Sequence, residues 1–229
     1  MADHKPALIR VFRNVQRPAP ELVAPFKDAP TGNVCDAMDR FGALDYHIKP
    51  LDAASRLCGP ALTVRTRPGD NLAIYQALEV SQPGDVLVVQ TYDHTVGSTI
   101  GDLVVNNAQR RGLAGIVCDG LVRDASGIRA LGLPVFARGL SPSSPFKDGP
   151  AEINGAIACG GIAVHPGDVI VGDEDGVVVI PQNDLVAVAA RLQEVFAKEA
   201  KMLAAIEAGQ LTNPAMLARL TEVGVEFVD

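Results

Sequence analysis

Two acids and one arginine carry the most pointed chemistry in this sequence. Asp102 stands in Gly101-Asp102-Leu103-Val104-Val105, and after twenty intervening residues Arg123-Asp124 closes the stretch Ile116 to Val122. Charges beside apolar runs and near glycines mark the end of a buried strand or the start of a helix, facing a shared cavity. Asp124 could be a plain salt-bridge partner of Arg123. It could equally ligate magnesium or manganese, which take oxygen ligands and often use only one or two carboxylates plus water. Arg123 does not lose its proton, so it is a poor base but a good clamp for a carboxylate or an enolate oxygen. Asp102 could hold a metal-bound water. The Leu103 and Val104 N–H groups, next to Gly101 at an expected helix start, offer a nest for an anion. On pattern alone, the structural and the catalytic readings of these residues stand side by side.

Other chemistries lack their equipment. No Gly-x-Gly-x-x-Gly follows a strand, and there is no Gly-Lys-Ser/Thr loop, which removes dinucleotide and nucleoside-triphosphate enzymes as leading ideas. No serine sits in a Gly-x-Ser-x-Gly elbow. His4, His47, His94 and His165 are far apart and form no metal-spacing pair, although His94 lies in the polar segment before Asp102. Lys49, Lys147, Lys198 and Lys201 sit in polar surroundings, so a metal-stabilised enolate suits carbon–carbon bond chemistry better than a lysine imine.

The elements that must position these residues are legible from periodicity and turns. A first helix begins near Pro20 and ends before Asp28, and Thr31-Gly32-Asn33 is expected to cap a second from Val34 to Arg40. Leu62 to Thr66 alternates and is β-branched, which predicts a strand. Pro-Gly-Asp occurs at 68–70, 83–85 and 166–168. The last two predict turns entering strands. The first leads into a helix from Leu72 to Leu78, with Asp70 or Asn71 as its N-cap and Asn71 a candidate substrate contact. A strand over Val86 to Gln90, a polar segment over Thr91 to Thr99, a helix over Gly101 to Arg111, a strand over Leu113 to Asp119, a helix over Ala125 to Leu131 and a strand over Leu133 to Ala137 follow. That order predicts an α/β fold with parallel pairing. Gly155 to Val164, Val169 to Gly172 and Gly176 to Ile180 predict a compact β layer against it. Asn183 to Ala208 has helical spacing, capped by Asn183 or Gln182, and a short helix from Pro214 to Val223 stops at Gly224. The reading is one domain over residues 1–182, with residues 1–19 a peripheral entry, and a C-terminal helical arm over 183–229 that docks on a neighbouring subunit.

Bulk properties bound the rest. A length of 229 residues suits one sizeable domain, and 4% aromatics with no Trp means a core of Val, Leu, Ile and Ala. A net charge of -7 argues against nucleic acid, which needs a basic surface. Cys35, Cys58, Cys118 and Cys159 contain no Cys-x-x-Cys pair, so free thiols in a reducing cytosol are expected rather than a zinc site. The N-terminus lacks a signal h-region and no apolar run spans a bilayer, so a cytoplasmic protein without membrane partners is expected.

At these residues the sequence resembles a known family. It contains 4-hydroxy-4-methyl-2-oxoglutarate/4-carboxy-4-hydroxy-2-oxoadipate aldolase and the regulator of ribonuclease activity A (RraA). The resemblance runs from about Asn33 to Ile180. It is carried by Pro68-Gly69-Asp70-Asn71, Pro83-Gly84-Asp85-Val86-Leu87-Val88-Val89, Gly101-Asp102-Leu103, Arg123-Asp124 and Asp173-Glu174-Asp175-Gly176-Val177-Val178-Val179. The spacing of Asp102 from Arg123-Asp124 is what separates the aldolase branch from the regulators. The resemblance implies an α-β-β-α sandwich of the swivelling β/α/β type, assembled as trimers or hexamers. It implies a class II pyruvate aldolase, dependent on Mg2+ or Mn2+, with oxaloacetate decarboxylase activity. Asp124 would be the metal ligand, Arg123 would hold the pyruvyl oxygen and the enolate, and Asp102 would bond the metal-held water. The Leu103 and Val104 amides would receive the substrate carboxylate, and Glu199 from a neighbouring subunit, with Glu194 as its near rival, would complete the water shell. The alternative is a non-catalytic RraA-type regulator that binds a ribonuclease or helicase.

Overall fold

The structure, a computed structural model, describes residues 8–228; the expected peripheral entry falls in part, and His4 wholly, outside them. Along the chain run β1 (Ile9–Val11), α1 (Pro20–Val23), α2 (Thr31–Ala37), β2 (Lys49–Pro50), β3 (Leu57–Thr66), α3 (Leu72–Val80) and β4 (Val86–Gln90). Then come β5 (Ser98–Ile100), α4 (Asp102–Arg110), β6 (Gly115–Cys118), β7 (Leu121–Val122), α5 (Ala125–Leu131), β8 (Val135–Ala137) and β9 (Gly139–Leu140). The chain closes with β10 (Ala151–Ile153), β11 (Ile157–Cys159), β12 (Ile162–Val164), β13 (Val169–Asp173), β14 (Gly176–Ile180), α6 (Leu185–Glu207) and α7 (Pro214–Val223).

The central sheet has the order β1-β10-β3-β4-β6-β8-β2. Its middle strands β3, β4, β6 and β8 are parallel, and β10 and β2 run antiparallel at the flanks. β13 pairs with the first half of β3 and with β14, so β3 joins two sheet layers. Strand alternation sorts the core into three shells. Leu87 and Val89 face Ala73, Ile74, Val105 and Ile128 of α3, α4 and α5. Val86 and Val88, one residue out of phase, face Ile170 and Val179 of the second β layer together with Ile157 and Val164 of the β11–β12 hairpin. The far side of β13 and β14, with Val171 and Val178, packs on Val34 of α2 and on Leu185, Val188 and Leu192 of α6. Helices, sheet, sheet, helices is the expected α-β-β-α sandwich, built almost without aromatics: among the described residues only Phe26 and Phe136 of them are fully buried.

Several boundaries differ from the sequence reading. α2 starts at Thr31 rather than Val34 and ends at Ala37, because Asp173 of β13 supplies the cap, accepting from the Thr31 N–H at 2.9 Å and the Thr31 hydroxyl at 2.6 Å. Left-handed φ at Asp39 and Arg40 then stops it. The N-cap position of α3 is Asn71, but the side chain that accepts is Asp70, from the Leu72 N–H at 2.9 Å. A 3-10 turn over Gln182–Asp184 leads into α6 in place of a side-chain cap from Asn183 or Gln182. α7 agrees with its predicted bounds: Asn213 Oδ1 accepts from the Ala215 N–H at 2.9 Å, and Gly224 terminates it at φ 84°. Among the described residues no helix is long and apolar enough to cross a membrane.

An element absent from the sequence reading positions the site. The strand expected over Leu113 to Asp119 is β6, which ends at Cys118, and after a break at Asp119-Gly120 the chain resumes as β7. The same break separates β4 from β5 and β8 from β9. The second members form a small parallel sheet, β5-β7-β9, beyond the carboxyl ends of the parent strands. The breaks are laced together: the Asp119 carboxylate accepts from the Thr91 hydroxyl at 2.7 Å, and Arg138 donates through Nε to the Asp119 carbonyl at 2.7 Å. Gly120 is required there, since a Cβ would stand 2.5 Å from Thr91 Oγ1.

Candidate active site

The small sheet delivers three segments side by side. Gly101-Asp102 follows β5, Arg123-Asp124 follows β7, and Ser141 onward follows β9. With β7 in the middle, the Arg123 N–H donates to the Ile100 carbonyl at 2.9 Å, and the Ser141 N–H donates to the Val122 carbonyl at 2.9 Å. Ligands of parallel sheets bind in this position, outside the carboxyl ends of the strands.

Arg123 and Asp124 meet there, and Asp102 stands on the adjoining segment. Arg123 Nε lies 3.1 Å from Asp124 Oδ2, with the two side chains 35% and 41% exposed. Both pack on Gly101, where a Cβ would stand 2.8 Å from Asp124 Oδ2 and 3.2 Å from Arg123 Nε. Arg123 also donates through Nη1 to Ser144 Oγ. Asp124 has φ 61° and ψ 41°, a left-handed conformation that costs a non-glycine residue of order 1 kcal/mol or more. It occupies the N-cap position of α5, yet its carboxylate caps nothing and turns to Arg123 instead. Asp102 opens α4, with its carboxylate against Gly127 of α5.

Among the described residues, no three His, Cys, Asp or Glu side chains cluster closely enough to cage a metal. The donor set around Gly101, two acids on neighbouring segments, fits a hard cation that keeps most of its shell as water and substrate oxygen. It does not fit zinc, which wants four protein ligands or three and one water.

The other expected contacts divide. The Val104 N–H already donates to the Gly101 carbonyl at 3.1 Å, so the anion nest is reduced; no acceptor takes the Leu103 N–H among the described residues. Asn71 lies behind β5, its Nδ2 donating to the Thr99 carbonyl at 3.0 Å, while its buried Oδ1 has no partner among the described residues. His94 braces its own segment instead: Nε2 accepts from the Gly97 N–H at 3.1 Å and lies against Gly69. Glu199 is not brought to the cluster. Its Oε2 accepts from Asn33 Nδ2 at 2.7 Å on the α2–α6 side, two sheet layers from α4 and α5, and Glu194 is exposed on the same helix.

Two contributors went unread in the sequence. Ser144 had no signal, since serine-rich loops are common. Asp70 was read as a cap, but it is fully buried and also anchors the segment carrying Ser144, with Oδ2 accepting from the N–H groups of Asp148 at 2.5 Å and Gly149 at 3.0 Å. The first Pro-Gly-Asp signal was real; its long-range partners were not visible.

Comparison with known proteins places the chain. Residues 31–179 match the sequence model of the RraA-like family, described as Aldolase/RraA. The chain is 40% identical over 163 residues to a protein of Halalkalibacterium halodurans named "Putative 4-hydroxy-4-methyl-2-oxoglutarate aldolase", covering 71% of this chain and 78% of that one. Among solved structures, an uncharacterized protein from Pseudomonas syringae superposes with a TM-score of 0.75 at 26% identity, over 85% of this chain and 96% of that one. RraAS2 of Streptomyces coelicolor, an unusual member of the RNase ES inhibitor RraA family, superposes with a TM-score of 0.72 at 32% identity, over 81% of this chain and 99% of that one.

Proposed function

The chain belongs to the RraA-like family, and from that premise we propose that it is a divalent-cation-dependent aldolase. It cleaves a 4-hydroxy-2-oxo acid of the 4-hydroxy-4-methyl-2-oxoglutarate type to pyruvate and a second 2-oxo acid, and decarboxylates oxaloacetate. The observation that carries this reading is the Arg123–Asp124 pair resting on Gly101, with the Asp102 carboxylate resting on Gly127 of the helix that Asp124 opens. The 40% identity to a relative named as such an aldolase supports it.

Asp124 would hold Mg2+ or Mn2+, which when bound supplies Lewis-acid polarisation of the 2-oxo group. Arg123 binds the 2-oxo oxygen and offsets the negative charge that grows there as the carbon–carbon bond breaks. The free Leu103 N–H, with Val104 and Gly101 beside it, receives the substrate carboxylate at the head of α4. Asp102 takes the 4-hydroxyl proton through a water and returns a proton to the pyruvate methyl carbon. Oxaloacetate passes through the same enolate: its ionised C4 carboxylate leaves as carbon dioxide, no hydroxyl proton is taken, and the proton delivered through Asp102 to the methyl carbon comes from water. Arg123 and Asp124 lie open on the single chain, so a second copy would close the site and bring Glu199 of the partner subunit. The reading needs no nucleic acid or membrane partner.

A second reading, a non-catalytic RraA-type regulator, is favoured by the likeness to RraAS2. One experiment separates the two. Chelator-treated protein is expected to lose pyruvate production from both acids and to regain it with Mg2+ or Mn2+. Asp124→Ala is expected to abolish cation-dependent turnover, and Arg123→Ala to lower it by about 10²-fold or more. Turnover indifferent to the cation sinks the aldolase scheme. No turnover of any 2-oxo acid, together with binding to a ribonuclease, establishes the regulator.

A further inference from the structure

We propose that Gly127 is a positioning residue that sets the Asp102 carboxylate; the inference rests on the catalytic reading of Asp102. Gly127 lies inside α5, where glycine costs roughly 1 kcal/mol relative to alanine. Its φ is not left-handed, so the backbone does not ask for glycine. The space does. A Cβ at 127 would stand 2.8 Å from Asp102 Oδ2, 3.1 Å from Asp102 Cβ and 3.3 Å from its Cγ. Asp102 therefore rests on the bare backbone of α5, as Asp124 rests on Gly101 with Oδ2 at the same 2.8 Å. Each acid uses the missing side chain of the opposite segment.

Any side chain at 127 meets the far end of a short side chain first. Relief comes chiefly from turning the Asp102 carboxylate away, with α4 and α5 giving by a few tenths of an ångström. Folding gains helix propensity and loses little packing, whereas the acid leaves its place. Misplacement on the ångström scale costs about 10²-fold in rate.

The test is Gly127→Ala in the full chain, with Ser126→Ala on the exposed side of α5 as the control that changes propensity alone. Gly127→Ala is expected to melt at or above the wild-type temperature, to lower kcat about 10- to 100-fold and to leave KM within about threefold. Ser126→Ala is expected to keep wild-type kinetics. In the cation-free protein at one fixed pH, the NMR resonance of the Asp102 carboxyl carbon should move in Gly127→Ala and stay in place in Ser126→Ala. That readout separates this inference from the function: no turnover in the wild type, with the Asp102 resonance still moved by Gly127→Ala, ends the aldolase reading and leaves Gly127 in its role. An unmoved Asp102 resonance together with unchanged kcat overturns the role. If Gly127→Ala does not fold, Asp102→Gly combined with it should restore folding, because the pair moves the gap to the other helix; a pair that also fails to fold overturns the role.

Discussion

Asp119 is 1% exposed and carries an acid where the strands break. Burial pushes its carboxyl up, and the amide and hydroxyl hydrogen bonds from Thr91 only partly offset this. A raised folded-state value stabilises the protein below the ordinary carboxylate range and withdraws that support as pH rises through the folded value. Asparagine keeps an Oδ1 acceptor for both Thr91 donors without the charge. Asp119→Asn is therefore expected to raise the melting temperature at pH 7, with the gain fading toward about pH 4, where aspartate is ordinarily half-protonated. An equal or lower melting temperature at pH 7 would show that the charge is well solvated there. Asp173 runs the other way. Burial raises its carboxyl, but the Thr31 hydroxyl and amide and the Asp175 amide together hold it below the usual range, so its support is lost in acid.

The small β5-β7-β9 sheet is the element that makes a site out of separate segments. Local reading found the helices that follow β5 and β7 and found the charged residues at their heads. It ended a strand at Asp119 but did not find that the chain resumes as β7, because Leu121 and Val122 are too short a run to read as a strand. The signals were Gly120 and the acid before it, whose partners, Thr91 and Arg138, lie 28 and 19 residues away. Asp70 performs the matching task for the segment after β9, tying 148 and 149 to the start of α3. Asp70→Ala leaves the N–H groups of Leu72, Asp148 and Gly149 without their acceptor. It is expected to cost about 2–4 kcal/mol in urea unfolding, since hydrogen bonds to a charged acceptor are worth about 1.5–3 each and water recovers part of them. Amide exchange over residues 143–149 should rise well beyond that of the central sheet. Uniform protection after the substitution would show that the segment is held by other contacts.

Across the whole molecule, the apolar residues left outside the three shells concentrate toward the C-terminus. Leu203, Ile206, Leu211, Met216, Leu220 and Phe227 are all exposed, and α7 buries nothing on its own chain. Large exposed apolar patches mark interaction surfaces. The arm over 183–229 divides accordingly: the start of α6 belongs to the chain's own core through Leu185, Val188 and Leu192, and only the remainder is free to dock on a neighbour as a trimer or hexamer would need. Deleting residues 209–229 is expected to preserve protection of the central sheet and to lower the assembly mass in light scattering. A full-length monomer under the same conditions would overturn the docking of this arm and, with it, the route by which Glu199 would reach the site.

The sequence by itself determined the layer class, the type of nearly every element and the identity of the acid–arginine set, because periodicity, turn chemistry and motif spacing are local properties. It located Asp102, Arg123 and Asp124 as a candidate set without showing whether they met. Only the tertiary structure decided that the small sheet sets their segments side by side, that Gly101 and Gly127 make room for the carboxylates, and that Ser144 joins Arg123. It also decided that Glu199 lies two sheets away within its own chain. Those facts depend on strand register and helix approach between residues about 20 or more apart. Such contacts are set by how the layers pack, and no local pattern of residue types encodes them.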